Sequence, residues 1–351
     1  MIDVGREDRG EQPPTGGGSG TSGGARKRRN IAVRTRVVVV AAGLGLLVAG
    51  CWGSFAYARS YWIYRGYPPP VQPGFTYTVG RRGRVPRRVQ VRSGQVEKIN
   101  VWSPSLGGRW ISCDVFLPPG YWERPLRRYP VFYFLHGLHT QGFTYLTVLG
   151  GAVDENVLIA QLRMKPMIVV IPEGPWKLDT EWSNTPVAGA WDTFVSKDLV
   201  DGIDGRLRTI RAGEGRAIGG VSEGGYGALN IGLHHPNEFS VIESWSGYSL
   251  ADPTSGVFGT SRALLNYNSP LYVLPSVAHS LRIHHVYIWF FIGNDDQFFR
   301  QNVQFAAELN QLHLPHEFFW VVGGHLWRPW RKEMGRALLA ASDHVMAPVR
   351  A

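Results

Sequence analysis

Ser222 lies in Gly220-Val-Ser-Glu-Gly224, a Gly-x-Ser-x-Gly pattern that follows an apolar run over 217–221 and precedes a helix-compatible segment. In such an elbow the serine occupies a strained turn between strand and helix, and the flanking glycines let the backbone pass close to itself. The turn raises the hydroxyl above the sheet edge. It also aims the amide of Glu223 at the point where a carbonyl oxygen would gain charge. A neutral serine is a weak nucleophile, so a base must take its proton and a third group must orient that base. Candidates follow in the order Ser, Asp, His: Gly293-Asn-Asp-Asp296 comes after one apolar run, and Val321-Val-Gly-Gly-His325 after the next. His325 is the expected base. Asp296 is the expected acid with Asp295 in reserve, since a solvated turn would explain either aspartate. His136-Gly137 after the run 130–135 is expected to shape an oxyanion loop whose second donor is the amide of Leu138, with a plain tight turn as the alternative. The side chain of Glu223 either faces the cleft, where it would disfavour anionic or very apolar acyl chains, or turns into solvent.

The elements that must position these residues are legible as apolar runs. Residues 110–117 alternate like a strand, and 130–135, 167–171, 217–221, 239–245, 286–292 and 317–322 are nearly continuous apolar segments that suit strands buried on both faces. Helical patterns fall between them, near 191–210, 225–235, 298–312 and 329–342. Strands alternating with helices imply a mostly parallel central sheet with helices on both faces, in one catalytic domain over residues 96–345. No internal repeat is present.

The formal charge of +10 is unevenly spread. Residues 1–36 carry eight Lys/Arg against four Asp/Glu, and 59–94 carry eight Arg and no acid, which leaves −2 for 95–351. The basic excess therefore flanks a hydrophobic segment, which argues for a membrane surface and against nucleic acid. Residues 1–36 read as a disordered basic cytoplasmic tail, rich in Gly and Ser. Residues 37–58 are free of charge, and at about 1.5 Å per residue they span roughly 33 Å, enough for a bilayer core. Six Lys/Arg lie in the fifteen residues before this run and two in the fifteen after, so it is expected to be a transmembrane signal anchor with the following domain exported. Val48-Ala-Gly-Cys51, resembling a lipobox, and Ala56-Tyr-Ala58, a small-x-small site, are the cleavage alternatives. Residues 59–95 form an Arg/Pro-rich linker. Cys51 and Cys113 lie in the apolar segment and in an expected strand, so no bridge between them is expected. His234, His235, His284, His285, His313 and His316 have no ligand spacing, and no metal site is indicated.

Taken together, these motifs resemble the esterase D-type branch of the α/β hydrolases, and within it the antigen 85 mycolyltransferases and related actinobacterial esterases. The similarity covers roughly residues 99–340 and includes Ser103-Pro-Ser-Leu-Gly107, Trp191-Asp-Thr-Phe194, His235-Pro-Asn-Glu-Phe239, Ser246-Gly247 and the spacing of His325, Trp327 and Trp330. It implies an α/β-hydrolase fold and an acyl-enzyme mechanism that needs no cofactor. Mycolyltransferases typically carry Asp-Gly at His136-Gly137, Met at Glu223 and a glutamate as the acid, whereas Asp296-Gln-Phe298 looks like the simple esterases of the fold. Ester hydrolysis is therefore the leading expectation. The alternatives are acyl transfer to envelope glycolipids, for which Trp182, Trp191, Trp327 and Trp330 either stack on a sugar or are ordinary core, and a catalytically silent wall-binding protein on a hydrolase fold. In all three the expected partners are an ester or acylated glycolipid and, through residues 37–58, a membrane.

Overall fold

The computed structural model describes residues 22–78, 87–175 and 178–350. It divides into two compact units, Met1–Tyr61 and Trp62–Ala351.

The described residues of the first unit are helical. Helix α1, Ser22–Tyr64, is 43 residues long and begins inside the stretch read as a disordered tail. Apolar side chains from Val37 to Tyr57 are exposed all along it, as expected of a helix without a polar face. By length and composition Lys27–Tyr64 is apolar enough to cross a membrane.

The second unit is built on an eight-stranded sheet. Its strands are β1 (Gln95–Ser103), β2 (Arg109–Leu117), β3 (Val131–Leu135), β4 (Ile168–Pro172), β5 (Arg216–Val221), β6 (Val241–Trp245), β7 (Tyr287–Gly293) and β8 (His316–Val321). Their spatial order is β8-β7-β6-β5-β3-β4-β2-β1. The six strands from β3 to β8 pair in parallel, while β2 pairs antiparallel with both β4 and β1. The mixed, mostly parallel sheet expected from the apolar runs is present, with each run a strand.

Why those runs carry no polar alternation is visible in β3. Val131, Tyr133 and Leu135 enter one core and Phe132 and Phe134 the other, so both faces are covered. On the first face lie helices α3 (Glu223–His234), α4 (Pro270–Ile283) and α5 (Phe299–Gln311), together with a helical segment over 191–204 that includes a π-helical stretch, Phe194–Leu199. On the second lie α2 (Gly151–Ala160) and α6 (Trp327–His344), whose Met334, Ala337, Leu338 and Ala341 pack on Trp245 and Trp289.

Part of the expected linker is seated on this unit. The Trp62 ring packs 5.6 Å from Phe143, Asn156 Nδ2 donates to Gln72 Oε1 at 2.6 Å, and an Arg331 Nη donates to the Pro68 carbonyl at 3.0 Å. Beyond the expected end of the domain, Val349–Arg350 pairs antiparallel with Arg127–Arg128.

Candidate active site

Strands β5, β7 and β8 end at the same edge of the sheet, and the loops after them carry the three residues with acyl-transfer chemistry. Ser222 follows β5 and has φ 58° and ψ −120°, a conformation an L-residue adopts only when its surroundings impose it. Its amide donates to the Trp245 carbonyl at 2.9 Å, and its carbonyl accepts from Tyr226, opening α3. The elbow closes against β3 so tightly that a Cβ on Gly224 would stand 2.1 Å from the Leu135 carbonyl oxygen. Only glycine fits there.

Ser222 Oγ is 2.7 Å from His325 Nε2, and His325 Nδ1 is 2.8 Å from Asp296 Oδ2. The buried carboxylate accepts from Nδ1–H, which leaves Nε2 free to accept from the serine hydroxyl. The Asp296 side chain is fully buried, and its other oxygen accepts from the Phe298 amide at 3.0 Å. Asp295 is exposed, and its amide donates to the Gly323 carbonyl at 2.9 Å. The loops after β7 and β8 are cross-tied through Asn294 Oδ1, which accepts from Gly323 at 2.9 Å. Phe298 and Trp330 meet the His325 ring edge to face at 5.6 and 5.0 Å and restrict its rotation.

The loop after β3 brings in Leu138. The Gly137 carbonyl accepts from Thr140 Oγ1 at 2.6 Å, from the Thr140 amide at 3.1 Å and from His136 Nδ1 at 3.0 Å. A trans peptide sends its N–H opposite to its C=O, so these three bonds also aim the Leu138 amide. Among the described residues, neither that amide nor the Glu223 amide has a hydrogen-bond partner. A Cβ on Gly137 would lie 3.3 Å from Ser222 Cβ, which places this turn against the elbow.

His136 itself does not reach the cleft. It is buried, its Nε2 accepts from the Gly174 amide at 2.9 Å, and burial lowers its pKa to about 4, so it is a neutral prop beneath the loop. Of the four tryptophans weighed as a sugar platform or as ordinary core, three are core. Trp182, Trp191 and Trp330 are buried and offer no face to a ligand, with Trp182 edge-on to His136 and Trp191, and Trp330 donating to Ser246 Oγ at 2.9 Å. Trp327 is half-buried against the second core and lies outside the cleft lining.

The cleft has a volume of ≈ 790 Å³, and its walls include Leu138, Ser222, His325, Tyr248, Leu250 and Phe298. Two buried carboxyl groups, Glu181 and Glu223, stand in its wall. Burial first, then the charge of Asp179, raises both, Glu181 to about 9 and Glu223 to about 8. Glu223 does not turn into solvent: it is 5% exposed in the cleft wall, and its Oε1 accepts from the Glu181 amide at 2.9 Å and from Thr180 Oγ1 at 3.1 Å. Glu181, Thr180 and Tyr248 had no sequence signal, because their place depends on a loop returning from elsewhere in the chain.

Comparison with known proteins bears on the family and the fold. The Esterase family model matches residues 103–341. Esterase Rv1288 of Mycobacterium tuberculosis is 28% identical over 65% of this chain and 54% of its own length, so the chain spans about half of that relative. Among solved structures, a ferulic acid esterase superposes with a TM-score of 0.65 at 23% identity over 72% of this chain and 99% of its own. MPT51 of Mycobacterium tuberculosis superposes with a TM-score of 0.55 at 18% identity, over 72% and 99%. Both share the fold, and the resemblance to α/β-hydrolase esterases read from the sequence is borne out. With the family model covering most of its length, the chain belongs to the Esterase family.

Proposed function

We propose that this chain is a serine esterase that cleaves carboxylic esters through an acyl-enzyme on Ser222. The observation that carries the reading is the unbroken hydrogen-bond line Ser222 Oγ, His325 Nε2, His325 Nδ1, Asp296 Oδ2 in a member of the Esterase family. Ser222 Oγ attacks the acyl carbon and gives its proton to His325. The carbonyl oxygen takes up the negative charge and is held by the Leu138 and Glu223 amides. As the tetrahedral intermediate collapses, His325 returns the proton to the departing alcohol oxygen. Water then attacks the acyl carbon, with His325 again taking the proton, and the acid leaves. Asp296 holds the imidazole in the tautomer that accepts from serine and stabilises the imidazolium between these steps.

Water is the favoured acceptor. Transfer to a sugar loses its expected aromatic platform, because three of the four tryptophans are buried in the core. Residues 37–58 act as a single-pass anchor with the catalytic unit on the extracytoplasmic side; this rests on the apolar length of α1 and on the basic excess before it.

A fluorophosphonate probe and a short chromogenic ester test the reading. The wild-type chain should be labelled and should turn the ester over, and Ser222→Ala should lose both. Labelling that survives in Ser222→Ala, or an unreactive wild type, would overturn it. Adding a labelled sugar with the ester separates the acceptors: free acid as the dominant product supports hydrolysis, and acyl sugar would replace it.

A further inference from the structure

The turn over residues 180–182 is strained and is held only in part by its own side chains, Asp179 Oδ1 accepting from the Glu181 amide at 3.1 Å. Glu181 and Trp182, neither a glycine, have φ of 50° and 47° in succession. Side chains resist this region, and a tie from outside the turn adds to the local ones. Glu223 supplies it from the position directly after the nucleophile: its Oε1 accepts from both the Glu181 amide and Thr180 Oγ1, and Thr180 Oγ1 in turn accepts from the Trp182 amide at 3.1 Å. Ser183 Oγ and Tyr248 add ties, to the Glu181 carbonyl and carboxylate respectively.

The turn delivers the indole of Trp182 into a slot between α3 and the loop after β3. The slot exists because residue 227 is glycine; a Cβ there would stand 2.5 Å from Trp182 Cβ. From that slot Trp182 Nε1 donates to the His136 carbonyl at 3.1 Å, fixing the peptide plane one residue before the one that carries the Leu138 amide. A chain of contacts thus runs from the Glu223 side chain through Thr180, Glu181 and Trp182 to His136.

We propose that Glu223 is a positioning residue: its carboxyl, acting through the 180–182 turn and Trp182, sets the Leu138 amide at the correct place relative to Glu223's own amide. One residue then contributes one oxyanion donor directly and aligns the other at a distance. The inference rests on the esterase reading above. It explains why an acidic side chain is buried beside a site that builds negative charge: near neutral pH it is held mostly as the uncharged acid and serves as an acceptor, a task glutamine can share.

Glu223→Gln keeps the accepting oxygen, Glu223→Met keeps the length and loses the acceptor, and Trp182→Phe keeps the ring and loses the donor. Turnover of a short soluble ester should fall about 10- to 100-fold in Glu223→Met and in Trp182→Phe with KM within about threefold, since misaligned donors tell mainly on the transition state. Glu223→Gln should restore most of the turnover that Glu223→Met loses. Amide hydrogen exchange supplies a readout independent of activity: Glu223→Met should raise exchange at 136–140 as well as at 180–183. Wild-type turnover in Glu223→Met, or faster exchange confined to 180–183, would overturn the proposal. If Glu223→Met fails to fold, Trp182→Phe decides, and wild-type kcat in that variant overturns it. A wild type without ester turnover would sink the esterase reading alone, and the exchange pattern would still decide the link from Glu223 to residues 136–140.

Discussion

The Asp296 carboxylate receives the Nδ1–H of His325 at 2.8 Å from a fully buried position, whereas Asp295, one residue earlier in the same turn, is exposed. Asp296→Asn would present an amide where the imidazole needs an acceptor and would favour the wrong tautomer. In a related triad this change lowers turnover about 10⁴-fold. A loss of that order is expected for Asp296→Asn on a short ester, with Asp295→Asn within about threefold of wild type. Equal effects of the two would remove Asp296 from the mechanism.

Removal of residues 1–61 should release a soluble, active esterase, while the intact chain stays with membranes through an alkaline carbonate wash. Removal of residues 1–94 should behave differently, because it also takes away Trp62, Pro68 and Gln72, which pack on Phe143, Arg331 and Asn156. The longer deletion should melt several degrees lower than the shorter one. Equal melting temperatures would mean that the seated segment adds nothing to the fold.

Alkaline pH should weaken the fold through the cleft wall. Glu181 and Glu223 hold their protons to about 9 and about 8, against an ordinary 4.5. From about pH 4.5 upward the unfolded chain releases these protons while the folded one keeps them, so stability declines as pH rises and the loss is complete above about pH 9. The melting temperature should fall between pH 5 and 9, and the fall should be smaller in Glu181→Gln, which has no proton to release. Glu155 and Glu243, buried in the second core and raised by desolvation, add to the fall in both proteins. An identical fall in wild type and Glu181→Gln would contradict the assignment.

Acid should weaken it through His136. Its folded pKa of about 4 lies below the ordinary 6.5, so the folded chain binds fewer protons in that interval. The contribution from keeping it neutral is present above pH 6.5 and is lost as pH falls toward 4. From pH 7 to 4 the melting temperature of wild type should drop relative to that of His136→Asn, because both proteins share the opposing contribution of the buried glutamates, and parallel curves would argue against a buried neutral imidazole.

The sequence by itself determined the sheet and two of the three polar groups in the line at its edge. Apolar runs without alternation can only be strands covered on both faces, and a serine between glycines at the end of one run, with a histidine after the last, is a local pattern that needs no knowledge of distant partners. The apolar length of residues 37–58 was equally local. What the tertiary structure decided were matters of direction and burial. Asp295 and Asp296 are alike in type and neighbourhood, and only the cross-tie between the loops after β7 and β8 turns one inward and leaves the other in solvent. Trp182, Trp191 and Trp330 have the residue type of a sugar platform, yet each is consumed by packing with residues far away in the chain. Whether Glu223 faced the cleft or solvent stayed open in the sequence because its partners, Thr180 and Glu181, arrive on a turn more than forty residues earlier. A hydrogen bond between such distant residues leaves no periodicity for a sequence to display, since it depends on where two loops meet in space and not on what either one prefers alone.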